Sequence, residues 1–154
     1  MPSKIVHAEK ARVLAIFALA DAIPDIQTQA HFARYLALTL CGLLELSART
    51  LIAEYSARTS SPKIASYCAV AVKGFTNPNC EKIQDLVGRF SGEWRITAEN
   101  FFDSNTGAAV DSIKNIRDNV AHGIPHGITL GNVKKYSVEI VKTVEFLETL
   151  FDTG

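Results

Sequence analysis

The chain has 154 residues, of which 47% are apolar, and its 16 Lys and Arg residues balance 16 Asp and Glu residues. This length and composition suit one domain with a hydrophobic core and exclude a low-complexity or disordered chain. A net charge of zero counts against strong non-specific binding of nucleic acid, although it leaves room for a small local site.

The charges are unevenly distributed along the chain. Residues 49–95 carry seven basic and four acidic side chains, whereas residues 96–154 carry five basic and eight acidic ones. The middle is therefore +3 and the end −3. A solvated mixture of surface charges is the simpler interpretation, and a face directed at a polyanion is the alternative.

The cysteines and the apolar runs further restrict the class of protein to which the chain can belong. Cys41, Cys68 and Cys80 are odd in number and form no CxxC pair, which argues against a disulfide framework or a zinc site. Cys41 and Cys68 lie in apolar helical sequence and are expected to be small core residues.

No signal-peptide pattern opens the chain and no uninterrupted apolar run reaches about 18 residues, so we expect a cytoplasmic protein without a membrane span. No phosphate-binding loop, dinucleotide fingerprint or metal-ligand cluster is present, so no cofactor is expected.

Helical periodicity extends over almost every segment, and no alternating pattern predicts a strand. Capping residues and breakers predict helices at about residues 4–22, 25–58, 62–74, 79–90, 108–122 and 130–151. Residues 94–102 are predicted as a short helix or irregular turn, and Ser104–Gly107 as a loop. We therefore predict one all-α domain over residues 1–154, an up-and-down bundle of long helices with shorter helices in the middle.

The most informative segment is Arg117-Asp118-Asn119-Val120-Ala121-His122-Gly123. On the predicted helix, Arg117 lies at the edge of an apolar arc, where a cation needs an anionic partner. His122 lies at the helix end and can exchange a proton near neutral pH, as removal of a proton from an RNA 2′-hydroxyl requires. The guanidinium of Arg117 fits phosphate oxygens, so the pair suits phosphodiester cleavage without a metal.

Helix geometry separates these two side chains. At 100° per residue, Arg117 and His122 point about 140° apart. Either the last turn unwinds at Gly123, or two copies of the helix meet across a dimer and share their Arg and His side chains. Asp118 or Asn119 is a candidate to orient the imidazole.

A purely structural interpretation competes with this one. A His before Gly is common at a helix C-terminus, and Arg117 can pair with Glu45, the one charge in the apolar middle of the second helix. Spacing alone favours this interpretation. Glu45 is then either a support for Arg117 or His122, or a carboxylate at the edge of the core.

Other candidates for contact with RNA are weaker. Arg34 and Arg49 are expected to be surface residues, and His126 a solvated loop residue. Trp94, Phe101 and Phe102 are candidates for stacking on bases, but core packing is the simpler expectation.

The sequence "IRDNVAHG" resembles the signature of the HEPN superfamily, and the chain resembles its RiboL-PSP-HEPN branch over roughly residues 25–150. The supporting pieces are Arg34-Tyr35-Leu36 through Glu45, Phe75-Thr76-Asn77-Pro78-Asn79 with Glu81-Lys82-Ile83, and Ile128-Thr129-Leu130. The resemblance implies a metal-independent ribonuclease of toxin or phage-defence type, with its active site shared across a homodimer. It assigns catalysis to Arg117 and His122 and the family's polar position, most often Asn, to Asp118; here the Asn follows at Asn119.

The resemblance also implies partners and alternatives. RNA, a second copy of the chain, and an antitoxin or nucleotidyltransferase are the implied partners. Many HEPN domains are non-catalytic, so a module that binds nucleotide, RNA or a partner protein is the alternative function. A scaffold or antitoxin-like protein whose helices only dimerise is a third.

Overall fold

A computed structural model describes residues 2–124 and 127–153, and within them the chain is helical with no strand. The helices are α1 (Lys4–Ala20), α2 (Ile26–Thr59), α3 (Pro62–Ala71), α4 (Cys80–Gly88), α5 (Gly92–Phe101), α6 (Ser104–Ala121) and α7 (Leu130–Thr153), and a 3-10 turn (Val72–Gly74) follows α3. The predicted all-α class is confirmed, and the helix bounds agree within a few residues except at the start of α6.

Polar caps explain where several helices begin. The hydroxyl of Ser3 accepts the N–H of Val6 at the start of α1, and Ser91 accepts the N–H of Trp94 at the start of α5. Such bonds satisfy backbone donors that have no partner within the helix. These are the residue types from which a sequence predicts a helix start.

The predicted loop at Ser104–Gly107 is wrong, because α6 already begins at Ser104. The carboxylate of Asp103 accepts the backbone N–H groups of Asn105 and Thr106 at 3.0 and 2.8 Å. Gly107 is buried inside the helix, where an added Cβ would lie 3.5 Å from Sγ of Cys80. Gly107 therefore lies inside a helix near Cys80, at a distance that leaves room for a Cβ, and not in a turn.

The long helices form an up-and-down bundle around α2, which packs against α1, α3, α6 and α7. Ser3 bonds to Glu54, Arg58 donates to the carbonyl of Phe151, and Thr106 donates to Glu139. From these contacts α1 and α6 run antiparallel to α2 and α7. The end of α6 therefore lies at the same end of the bundle as the end of α1 and the start of α7, which are joined by Lys134 and Asp21.

The apolar residues of α2 form the centre of the core. By length and composition α2 could cross a membrane, but 56% of its most apolar stretch is buried inside the bundle. Its apolar residues recur at spacings of three and four along the sequence, which predicts one buried face, and these residues are buried or packed against the core: Phe32, Leu36, Leu40, Leu43, Leu44, Leu51 and Ile52. Core packing therefore accounts for the apolar character of this helix.

The aromatic candidates Trp94, Phe101 and Phe102 are half-buried and pack against other aromatic rings. The Trp94 ring lies 5.2 Å from Phe151 and 5.6 Å from Tyr55, measured between ring centroids. Phe101 stacks on Phe146 at 4.2 Å, and Phe102 is packed against the core. These contacts favour structural roles over base stacking.

Candidate functional site

The motif occupies the last turn of α6, which ends in a regular C-terminal cap. His122 is the C-cap residue, and its N–H donates to the carbonyl of Asp118 at 3.0 Å. Gly123 adopts a positive φ of 67°, and the N–H of Ile124 donates to the carbonyl of Asn119 at 2.8 Å. This is the Schellman arrangement, in which glycine reverses the chain direction without steric strain. The helix thus unwinds only after His122, so the ideal helix geometry that separates Arg117 and His122 by about 140° applies up to the end of the motif.

Arg117 lies at the edge of the apolar arc, as predicted. Val110, Ile113 and Ile116 are buried, whereas the side chain of Arg117 is 36% exposed. Its Nη1 lies 3.6 Å from Oδ1 of Asp118, which is an ion pair at long range. The guanidinium therefore reaches solvent and has donors left for a phosphate group.

Asp118 is held by two cations rather than by the imidazole. Nζ of Lys114, one turn earlier in α6, pairs with Oδ2 of Asp118. The hydrogen bond from Lys114 lowers the pKa of Asp118, partial burial opposes this, and the charges of Lys114 and Arg117 lower it further. Lys114 was not singled out from the sequence, although its position four residues before Asp118 is a known signal for such a pair.

Glu45 contacts a different part of the molecule. Its Oε1 accepts the backbone N–H of Asn77 at 2.5 Å, and its Oε2 lies 3.8 Å from Nη2 of Arg49. It forms no ion pair or hydrogen bond with Arg117 or His122 among the described residues. Asn77 has a φ of 49°, so Glu45 stabilises a strained turn before α4.

Arg49 lies at the surface but is bonded to the backbone of a neighbouring segment. Its side chain is 34% exposed, and its Nε donates to the carbonyl of Phe75 at 2.9 Å. It therefore fixes the same turn as Glu45. Arg34 is half-buried, and its Nη1 lies 3.2 Å from Nδ1 of His31.

Glu45 and Arg117 do not bond to each other, but the charges of both act on the thiol of Cys41 on α2. The thiol is 3% exposed, which confirms its predicted place in the core. Burial and, to a smaller extent, the charge of Glu45 raise its pKa to about 11, while the positive charge of Arg117 opposes both effects. Both charges therefore act on one buried position of α2.

The imidazole of His122 is accessible. The residue is exposed, and its ring has no hydrogen bond or ion pair within residues 2–124 and 127–153. The side chain of Asn119 is half-buried and likewise makes no hydrogen bond in this part of the chain. His126 lies outside the described residues. Within the described residues no three His, Cys, Asp or Glu side chains form a group that could hold a metal ion.

The all-α bundle, with an Arg-and-His motif at the end of its penultimate helix, has the features of a HEPN domain. A family model described as RiboL-PSP-HEPN matches residues 8–153, so the chain belongs to the RiboL-PSP-HEPN family. The HEPN domain family includes ribonucleases. Neither the curated proteins nor the solved structures gave a significant match.

Proposed function

We propose that this protein is a metal-independent endoribonuclease whose active site forms across a homodimer. The observation that carries the proposal is the pair of polar groups at the end of α6: an exposed imidazole at His122, unbonded among the described residues, and a guanidinium at Arg117 whose side chain is 36% exposed. Membership of a family that includes ribonucleases supports it. Its setting is proposed to be a cytoplasmic toxin or phage-defence system with an antitoxin or nucleotidyltransferase partner.

The reaction is transesterification within RNA. His122 accepts the proton of a 2′-hydroxyl, the 2′-oxygen attacks phosphorus, and the 5′-oxygen leaves with a proton returned by an imidazole. Arg117 stabilises the negative charge on the pentacoordinate phosphorus. The products are a 2′,3′-cyclic phosphate and a free 5′-hydroxyl.

Helix geometry is the reason for a second subunit. Two side chains about 140° apart on one helix cannot converge on one phosphate group. A two-fold axis close to the end of α6 would bring Arg117 of one chain opposite His122 of the other. Each chain then supplies one half of each Arg–His pair.

The structure also favours Asn119 over Asp118 as the residue that orients the imidazole. Asp118 is occupied by Lys114 and Arg117, whereas the amide of Asn119 has no partner among the described residues. Asn119 precedes His122 by three positions, which places both on one side of the helix. Asn119→Ala is therefore expected to lower cleavage more than Asp118→Ala does.

The experiment is cleavage of a labelled RNA by the purified protein in excess chelator. The proposal expects cleavage that persists in chelator, leaves 2′,3′-cyclic ends, and stops when the nucleotide at the cut site is 2′-deoxy. Cleavage of the 2′-deoxy substrate, or activity that returns only with added divalent cations, would contradict the mechanism.

A non-catalytic module that binds nucleotide, RNA or a partner protein is the second candidate. The zero net charge favours it, because an enzyme that acts on a polyanion is more often basic. Saturable RNA binding without cleavage, unaffected by His122→Ala, would support this function over the first.

A further inference from the structure

A groove of about 720 Å³ lies between α3 and α4, above Ile52 of α2. We call it the α3–α4 groove. Its walls are mainly apolar and aromatic, and they include Cys68, Val72, Phe75, Leu86 and Phe90. A concave site of this size and character is typical of small-molecule binding sites.

The charged side chains that line the groove leave an excess of positive charge. Asp85 is paired with Arg95 at 2.5 Å, so its negative charge is offset. Lys82 donates only to the carbonyl of Thr76 among the described residues, and Arg89 has no side-chain partner there. The rim therefore presents two cations without a carboxylate of their own.

From these two observations we infer that the α3–α4 groove binds a small amphipathic anion, an alkyl or aromatic carboxylate. The apolar body lies against the apolar and aromatic lining, and the carboxylate meets Arg89 and Lys82. Apart from Tyr67, Thr76 and the charged residues, the lining side chains offer no hydrogen bonds to the polar edge of a nucleobase, which favours a carboxylate over a nucleotide. A guanidinium suits a carboxylate because it presents two parallel donors.

The groove is separate from the motif. None of its lining residues belongs to the motif, and Ile52 follows Cys41, on which the charge of Arg117 acts, by eleven positions of one continuous helix, a separation of about 16 Å along α2. Binding here therefore does not depend on the proposed nuclease activity, and each is tested without the other.

Trp94 provides the readout. It is the one tryptophan in the sequence, and its ring lies 5.6 Å from that of Phe90 in the groove wall. Decanoate, kept below its micelle concentration, is titrated into the full chain while Trp94 fluorescence is recorded, with decylamine as the matched cationic control. We expect saturable binding of decanoate and none of decylamine. Arg89→Gln is expected to weaken decanoate binding about tenfold, whereas the exposed control Lys135→Gln leaves it unchanged.

Cys68 gives a second readout inside the groove. Cys41 is buried and burial raises the pKa of Cys80 to about 11, so alkylation at neutral pH reports mainly on Cys68. Decanoate should protect Cys68 from alkylation. Equal binding of decylamine, no protection of Cys68, displacement of decanoate by an RNA oligonucleotide, or a fluorescence change that tracks protein self-association would each overturn the inference.

Discussion

The two ends of α6 differ in what holds them. At the N-terminal end, Asp103 caps the helix, Thr106 bonds to Glu139 of α7, and Asp111 accepts the N–H of Cys80 of α4 at 2.8 Å. At the C-terminal end, the ion pairs of Lys114, Arg117 and Asp118 stay within α6, and His122 makes none in the described part of the chain.

The difference shows where this helix is structural and where its polar groups are available to a ligand. The motif end is positioned by the backbone cap and by buried Ile113 and Ile116 rather than by polar bonds to other helices. Its cation and imidazole can therefore meet an external phosphate without breaking the fold.

The largest expected effect is on catalysis at the motif end. Arg117→Ala and His122→Ala should each lower RNA cleavage by about 100- to 10,000-fold, because each removes charge stabilisation or proton transfer. Urea unfolding should show a change of no more than about 0.5 kcal/mol, since both side chains are accessible. A fall in the free energy of unfolding large enough to explain the lost activity by unfolding would mean that these residues are structural.

The opposite pattern is expected at the N-terminal end. Thr106→Val removes the hydroxyl that donates to Glu139 from a side chain that is 5% exposed. The free energy of unfolding should fall by about 1 kcal/mol, while cleavage of RNA by the folded protein stays at the wild-type rate. If Thr106→Val keeps its stability but loses cleavage, the N-terminal end of α6 is also functional, and the contrast between the two ends is wrong.

Two glycines of opposite character sharpen the comparison. Gly107→Ala should stabilise the protein by about 0.5 kcal/mol, because Ala favours the helix and its Cβ meets Cys80 at an ordinary distance. Gly123→Ala should destabilise it by about 1 kcal/mol, because the added Cβ opposes the positive φ. Thermal unfolding should show a higher melting temperature for Gly107→Ala and a lower one for Gly123→Ala. Shifts in the same direction would contradict the backbone roles given to the two glycines.

The smallest expected effect depends on pH. The pKa of Asp118 is lowered in the folded chain, chiefly by Lys114, so its stabilisation is present above the ordinary pKa of an aspartate and is lost as the pH falls through the lowered value. Asp118→Asn should therefore cost about 0.5 kcal/mol at pH 6 and less than that at pH 2. Urea unfolding at the two pH values measures this, and an equal cost at both would show that the charge is not involved.

Local patterns were sufficient to predict most of the fold but not its contacts. Caps such as Ser3 and Ser91 mark helix starts because their bonds are made within a few residues. The loop prediction at Ser104–Gly107 is wrong because Ser, Asn and Gly are typical loop residues, whereas here the cap by Asp103 and the bond from Thr106 to Glu139 of α7 fix a helix start. The partner of Glu45 could not be predicted for a similar reason. It is the backbone N–H of Asn77, 32 residues away in sequence, and only the packing of that turn against α2 brings the two together.

The motif itself was visible from residue types and spacing, and helix geometry already predicted that its two side chains diverge. The pairing of Lys114 with Asp118 is accessible from their spacing, yet Lys114, Arg117 and His122 are all near Asp118 along α6, so spacing alone does not decide which of them it bonds. The α3–α4 groove depends on three helices at once, so no local pattern predicts it.

The shared site is tested most directly by mixing the two inactive variants. Arg117→Ala and His122→Ala are combined in equal amounts under conditions that exchange subunits, and RNA cleavage in chelator is measured. A pair built from Arg117 of one chain and His122 of the other predicts recovery to about a quarter of the wild-type rate, because half of the dimers are mixed and each has one intact pair. No recovery, despite subunit exchange confirmed by mass measurement of tagged chains, would contradict a site shared across the dimer.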